Sequence, residues 1–210
     1  ARRRPPASPG PARAVLRNRP TEQAHVVLGA PGIPRADDRR FAASVFNQAL
    51  GGGMASRLFQ EVRERRGLVY SVYSHVGMHV DAGTVAVYAG TAPHRAEEVL
   101  RVVRAELRKL VDDGLTSAEL ERAKGHLAGS MTLALEDTGS RMSRLGKALI
   151  TGTPLLSPEQ TIAAVEAVTA EDVLGLVRLL LVGPFTLAVV GPFDAAAQDG
   201  FERWVHEDAA

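Results

Sequence analysis

The stretch Gly51–Thr91, GGGMASRLFQEVRERRGLVYSVYSHVGMHVDAGTVAVYAGT, decides the fold. Its three leading glycines stop whatever helix precedes them. Ser56 to Arg65 predicts a second helix, with Leu58, Phe59 and Val62 on one side and Gly67 placed to end it. Val69 to His79 is rich in Val and Tyr, and Ala82 to Thr91 alternates Val85, Val87 and Ala89 against Thr84, Ala86 and Tyr88. Asp81, Ala82 and Gly83 supply a turn between them, so the two segments read as an antiparallel hairpin.

Upstream, Ala24 to Gly29 reads as a short buried strand. Asp37 or Asp38 can cap a helix to about Leu50, with Phe41, Val45, Phe46, Ala49 and Leu50 at helical spacing. Downstream, Ala92 to Asp113 carries Val99, Leu100, Val103, Leu107, Leu110 and Val111 at helical spacing, and Gly114 closes it. Thr116 and Glu119 form a capping box for a helix to about Leu135. Further helices are expected over Gly139–Ile150, after Ser157-Pro158, and after Thr169. Phe185 to Val190 is a buried strand. From Asp194 the tail is a short helix anchored by Phe201, Trp204 and Val205, or it frays. Partly segregated strands and helices with a hairpin predict an α+β fold, a largely antiparallel sheet covered by helices.

Apolar residues make up 45% of the 210, enough for one sizeable core. Net charge is +1, yet Arg2, Arg3, Arg4, Arg13, Arg17 and Arg19 put +6 on the first 19 residues, leaving −5 on the rest. Such an arm could meet nucleic acid, but five prolines from Pro5 to Pro20 break it up and no aromatic is interleaved for base stacking. It reads instead as a solvated linker, so no nucleic-acid partner is expected. Residues 1–20 are taken as a basic, Pro-rich linker or fragment edge, and 21–210 as a single α+β domain, with folded structure from near Thr21. Ala1 rather than Met suggests a piece of a longer chain. Cys is absent, which removes thiolate chemistry and fits a reducing compartment. No apolar run approaches the roughly 20 residues that span a bilayer, and no signal peptide is visible. A cytoplasmic location without a membrane partner is therefore expected.

Six His invite a metal, but neither His-Glu-x-x-His nor His-x-x-Glu-His occurs. His75 and His79 lie in a predicted strand, which sets their α-carbons about 13 Å apart. Two nitrogens on one zinc lie within about 4 Å, so the pair reads as ordinary sheet residues. No Gly-x-Ser-x-Gly elbow is present, and the glycine run lacks the Lys-Ser/Thr end of a phosphate loop. What remains is Arg63, near a helix end, and Tyr70, seven residues on at the start of a strand. The Gly67 turn could bring both to one sheet edge as donors for a peptide carbonyl, or for the charge on a carbonyl under attack. Alternatively, Arg63, Arg65 and Arg66 simply favour a helix C-terminus and Tyr a strand.

Leu50 to Ser74 resembles the C-terminal domain of the insulinase, pitrilysin and mitochondrial-processing-peptidase family of zinc metallopeptidases, of the bacterial two-domain type. Asp81-Ala-Gly-Thr, Leu115-Thr-Ser-Ala-Glu-Leu, Arg141-Met-Ser-Arg-Leu-Gly and Val189-Val-Gly-Pro add to the resemblance, which spans roughly Arg17 to Pro192. It implies a LuxS/processing-peptidase-like domain, the half that carries no zinc. Zinc, and the residues of metal-assisted hydrolysis, are then expected in an N-terminal zinc-binding domain of the same or a partner chain. The resemblance also implies that Arg63 and Tyr70 bind and orient a peptide substrate and stabilise the oxyanion, that this chain alone holds no catalytic residue, and that the parent protein is a zinc metalloendopeptidase acting as a homodimer. An inactive structural or assembly subunit of the same fold is the alternative.

Overall fold

The computed structural model describes residues 10–182 and 184–206. Within them five strands form one sheet: β1 (Arg13–Asn18), β2 (Ala24–Gly32), β3 (Val69–Met78), β4 (Gly83–Thr91) and β5 (Thr186–Gly191). Their spatial order is β1-β5-β2-β4-β3. β2 runs antiparallel to both β4 and β5, and β3 antiparallel to β4, while β1 and β5 are parallel. The fold is thus the expected α+β layer, with a largely antiparallel sheet covered by helices.

Alternation of side chains assigns the two faces. Val26, Leu28, Val72, Val85, Val87, Leu187 and Val189 point into the core. Among the described residues seven α-helices follow one another: α1 (Arg40–Gly51), α2 (Ala96–Asp113), α3 (Ser117–Ala134), α4 (Thr138–Thr151), α5 (Pro158–Glu166), α6 (Ala170–Leu180) and α7 (Ala195–His206). Phe46, Leu50, Leu100, Leu110 and Leu176 are fully buried on α1, α2 and α6, which pack against β3, β4 and β2. Three helix starts follow their sequence signals. Thr116, Ser157 and Thr169 each accept from the backbone N–H three residues on, and each third residue returns the bond.

Four expectations need correction. The sheet begins at Arg13, not near Thr21. Arg13, Arg17 and Asn18 are exposed while Ala14 is buried, a strand pattern hidden by basic and Pro-rich surroundings. Its ladder partner β5 lies at the far end of the chain, so no local signal announces it. The linker expected over residues 1–9 lies outside the described residues. The helix α1 is not capped by Asp37 or Asp38: Arg39 holds the N-cap position, and Asp37 instead accepts from the Arg39 backbone N–H at 2.9 Å and from its guanidinium. The helix expected over Ser56–Arg65 is a π-helix over Phe59–Glu64. The stretch from Ala92 opens as a 3₁₀ turn, Pro93–Arg95, before α2 begins.

Candidate functional site

The run Gly51–Phe59 is an architectural joint. A Cβ on Gly51 would lie 2.2 Å from the backbone nitrogen of Ser74, so only glycine lets α1 approach β3 this closely. The Ser74 hydroxyl donates to the carbonyl of Asn47 across the same seam. Arg57 turns the other way. Its guanidinium grips both carboxylate oxygens of Glu119, on the first turn of α3, and donates to Gly114 O at 2.8 Å. Burial opposes the Glu119 charge, but hydrogen bonds from Arg57 and Thr116 outweigh it, and the pKa falls from the ordinary 4.5 to about 2. Sequence reasoning identified Glu119 only as a capping residue. Its second partner lies 62 residues away, beyond any local pattern.

This joint aims the π-helix. Arg65 N–H donates to Gln60 O, the wide spacing of a π-turn. Gly67 adopts φ 58°, and the closure pairs Gly67 N–H with Arg63 O and Leu68 N–H with Val62 O. Each of these bonds is one residue wider than in a Schellman closure, as π geometry requires. Glu61 takes both Arg65 and Arg66 in ion pairs. The hydrogen bond from Arg66, with the charges of Arg65 and Arg66, holds the Glu61 carboxyl below its usual range, against the penalty of its burial. Arg63 is the basic residue left over. It is exposed, has no carboxylate partner among the described residues, and rests its guanidinium over the Phe59 ring at 4.9 Å.

Tyr70 owes its position to a β-bulge. Val69 pairs with Thr91 and Ser71 with Gly90, so Tyr70 is the extra residue. Counting back by twos from inward-facing Val72 would put Tyr70 on the helix-covered face. The bulge gives that place to Val69, 7% exposed, and leaves Tyr70 59% exposed at the sheet edge. The buried Thr91 hydroxyl secures the start of β3 by donating to Leu68 O at 2.5 Å. Arg63 and Tyr70 therefore flank one turn, both open to solvent, and no hydrogen bond joins them. Their donors are free for a third group.

The sheet face away from the helices was not anticipated as a surface in its own right. Tyr73 and Tyr88 stack there at 4.9 Å, and Tyr88 OH bonds His25 Nδ1 at 2.8 Å. The alternation of β2, β3 and β4 contained the signal, since none of the residues facing this side is an acid, a lysine or an arginine and they include His25, Tyr73 and Tyr88. His75 lies on this face, and His79 follows the strand end. Their Nε2 atoms stand 3.4 and 3.8 Å from where a Gly77 Cβ would be, so the rings lean together over the glycine more than their backbone separation suggests. Among the described residues no group of three or more His, Asp or Glu side chains could hold a metal ion.

Residues 1–127 match the family described as the peptidase M16 inactive domain. A zinc protease of Streptomyces coelicolor is 49% identical over 169 residues, 80% of this chain and 37% of that protein. A zinc protease of Bacillus subtilis is 40% identical over 175 residues, 83% of this chain and 43% of that protein. The crystal structure of a peptidase M16 inactive domain from Pseudomonas fluorescens superposes with a TM-score of 0.83 at 30% identity, over 91% of this chain and 46% of that one. A chain of complex III2 from Candida albicans shares the fold, with a TM-score of 0.75 at 15% identity over 90% of this chain and 49% of that one. The chain spans less than half the length of each of these relatives.

Proposed function

We propose, from the premise that this chain belongs to the M16 peptidase family as its inactive domain, that it is the substrate-binding, non-catalytic half of a zinc metalloendopeptidase. Its own described side chains do not fit a zinc ion. The metal belongs to the N-terminal zinc-binding domain, on the same or a partner chain, where it would activate water for peptide hydrolysis. Relatives about twice as long leave room for such a domain. Helix α4, which buries no residue and exposes Met142, Leu149 and Ile150, suits a protein that works assembled. The parent protein is read as a cytoplasmic homodimer. Among the described residues no helix is long and apolar enough to cross a membrane.

The work of this half is to hold the peptide. Arg63 and Tyr70 donate to the peptide carbonyls and to the oxygen that gains charge as the scissile carbonyl is attacked. One observation carries the reading. Of the arginines ending the π-helix, Glu61 neutralises Arg65 and Arg66 and leaves Arg63 uncommitted, beside a tyrosine that a bulge turns outward. Neither feature serves the core.

In the zinc-bearing full-length protein, Arg63→Ala and Tyr70→Phe should each lower peptide turnover on the order of 100-fold, about 3 kcal/mol of transition-state stabilisation. Bound zinc should stay at the wild-type level. Unchanged turnover in both variants would remove the two residues from the site. A zinc-free, inactive full-length protein would instead make this a structural subunit.

A further inference from the structure

At the far end of β3 from Tyr70 lies a second feature, a cleft of about 590 Å³ between the start of α1 and the flank of α4. Its wall is strongly basic, with Arg35, Arg40, Arg144 and Lys147. The acid among its lining residues is Asp137, whose carboxylate is committed to capping α4 by accepting from Ser140 N–H at 2.6 Å. Asp38 approaches Arg40 only at 3.9 Å and stands fully in solvent. Arg35 donates from Nη2 to Met78 O, the last residue of β3, at 2.9 Å, which ties the cleft to the end of that strand. Its Nε is the one buried side-chain nitrogen or oxygen among the described residues without a hydrogen-bond partner. A buried N–H on a cation is costly to leave unpaired.

We propose that this cleft binds the carboxylates of acidic residues in a peptide substrate. The inference rests on the reading of this chain as the peptide-holding half. Tyr70 and Met78 sit at opposite ends of the edge strand β3. A strand rises about 3.3 Å per residue, so an extended peptide gripped at Tyr70 and lying along β3 reaches the cleft roughly eight residues further on. Arginine forks suit carboxylates in two-point contact. The rest of the wall includes Phe41 and Leu155, apolar surface for the methylenes of Glu. The site therefore selects peptides with acidic residues displaced from the scissile bond, rather than next to it.

The test uses the full-length protein and two fluorescent peptides of about twelve residues, identical except that the end distant from the cleavage point carries Glu or Gln. The acidic peptide should bind on the order of tenfold tighter. The double variant Arg40→Gln with Lys147→Glu should abolish that preference without changing affinity for the Gln peptide, and its unfolding midpoint, measured in parallel, should match wild type. Arg63→Ala should weaken both peptides equally and preserve the ratio. Equal binding of the two peptides by wild type overturns the cleft assignment and leaves the Arg63–Tyr70 grip standing. A preserved ratio with no loss of affinity in Arg63→Ala overturns the grip and leaves the cleft. Preference surviving in a folded double variant overturns the cleft. Displacement of the acidic peptide by inorganic phosphate at equal concentration identifies a free-anion site and overturns the peptide reading.

Discussion

Arg57 and Glu119 show how one ion pair can hold a site it does not enter. Both side chains are mostly buried, at 13% and 15% exposure, and the pair locks the approach to the π-helix onto α3. Charge-assisted bonds of this kind are worth about 2–3 kcal/mol when broken one-sidedly. Glu119→Gln should destabilise by about 2 kcal/mol at pH 7 in chemical denaturation. The pH dependence has a definite sign. The folded pKa, about 2, lies below the ordinary 4.5, so the stabilisation is fully present above pH 4.5 and is lost as pH falls towards 2. The gap between wild type and Glu119→Gln should accordingly close over that interval. A gap constant from pH 7 to 2 would mean that the carboxylate charge contributes nothing. Arg63 is the contrasting case, a cation of the same helix region with no acid to satisfy.

Among elements, the turn from the π-helix to β3 depends on two glycines for different reasons. Gly67 needs its left-handed backbone, and a Cβ there meets nothing within 4 Å. Gly67→Ala should therefore cost only about 1 kcal/mol, the penalty of φ above zero. Gly51 needs space rather than conformation. Gly51→Ala drives a carbon into the Ser74 backbone and must part α1 from β3, costing about 2–3 kcal/mol. Denaturation midpoints should rank wild type, Gly67→Ala, Gly51→Ala in falling order, and the reverse order of the two variants would refute this reading of the joint. The bulge at Tyr70 belongs to the same scale. It is produced by Val69 and Val72 both claiming the core, three residues apart where a regular strand would allow two or four.

For the whole molecule, the two edges of the sheet are treated differently. Along β1, α7 closes the edge: Ala14 N–H donates to Glu202, Leu16 N–H to Gln198 Oε1 at 2.9 Å, and Gln198 Nε2 donates back to Ala14 O. Side chains thus stand in for a neighbouring strand and blunt that edge. At the other edge, β3 carries the bulge and Tyr70. A chain beginning at Thr21 would lose β1, strip β5 of its parallel partner and leave Gln198 and Glu202 facing no amide. Its thermal midpoint should fall by roughly 5–10 °C, the response of a domain this size to about 2–3 kcal/mol. An unchanged midpoint would show that β1 is peripheral and that the fold begins where its hydrophobic pattern first becomes clear.

Much of this was legible in the chain because the signals are local. A capping box spans four residues, a helix stripe repeats every turn, and an alternating strand declares its face within six residues, so α2, α3, α5, α6 and the β3–β4 hairpin follow from sequence. The sequence also carried Arg63 and Tyr70 as neighbours across a glycine. Arg63, two residues from Glu61, lies on the other side of the helical turn, so Glu61 takes Arg65 and Arg66 instead. For the tyrosine, tertiary structure decided. Tyr70 faces outward only because β4 holds Val69 and Ser71 in a register that skips it. β1, the Arg57–Glu119 pair and the basic cleft were likewise invisible, since each joins segments far apart in the chain. Contacts of that kind are selected by the free energy of the whole packed core, which no window of sequence contains.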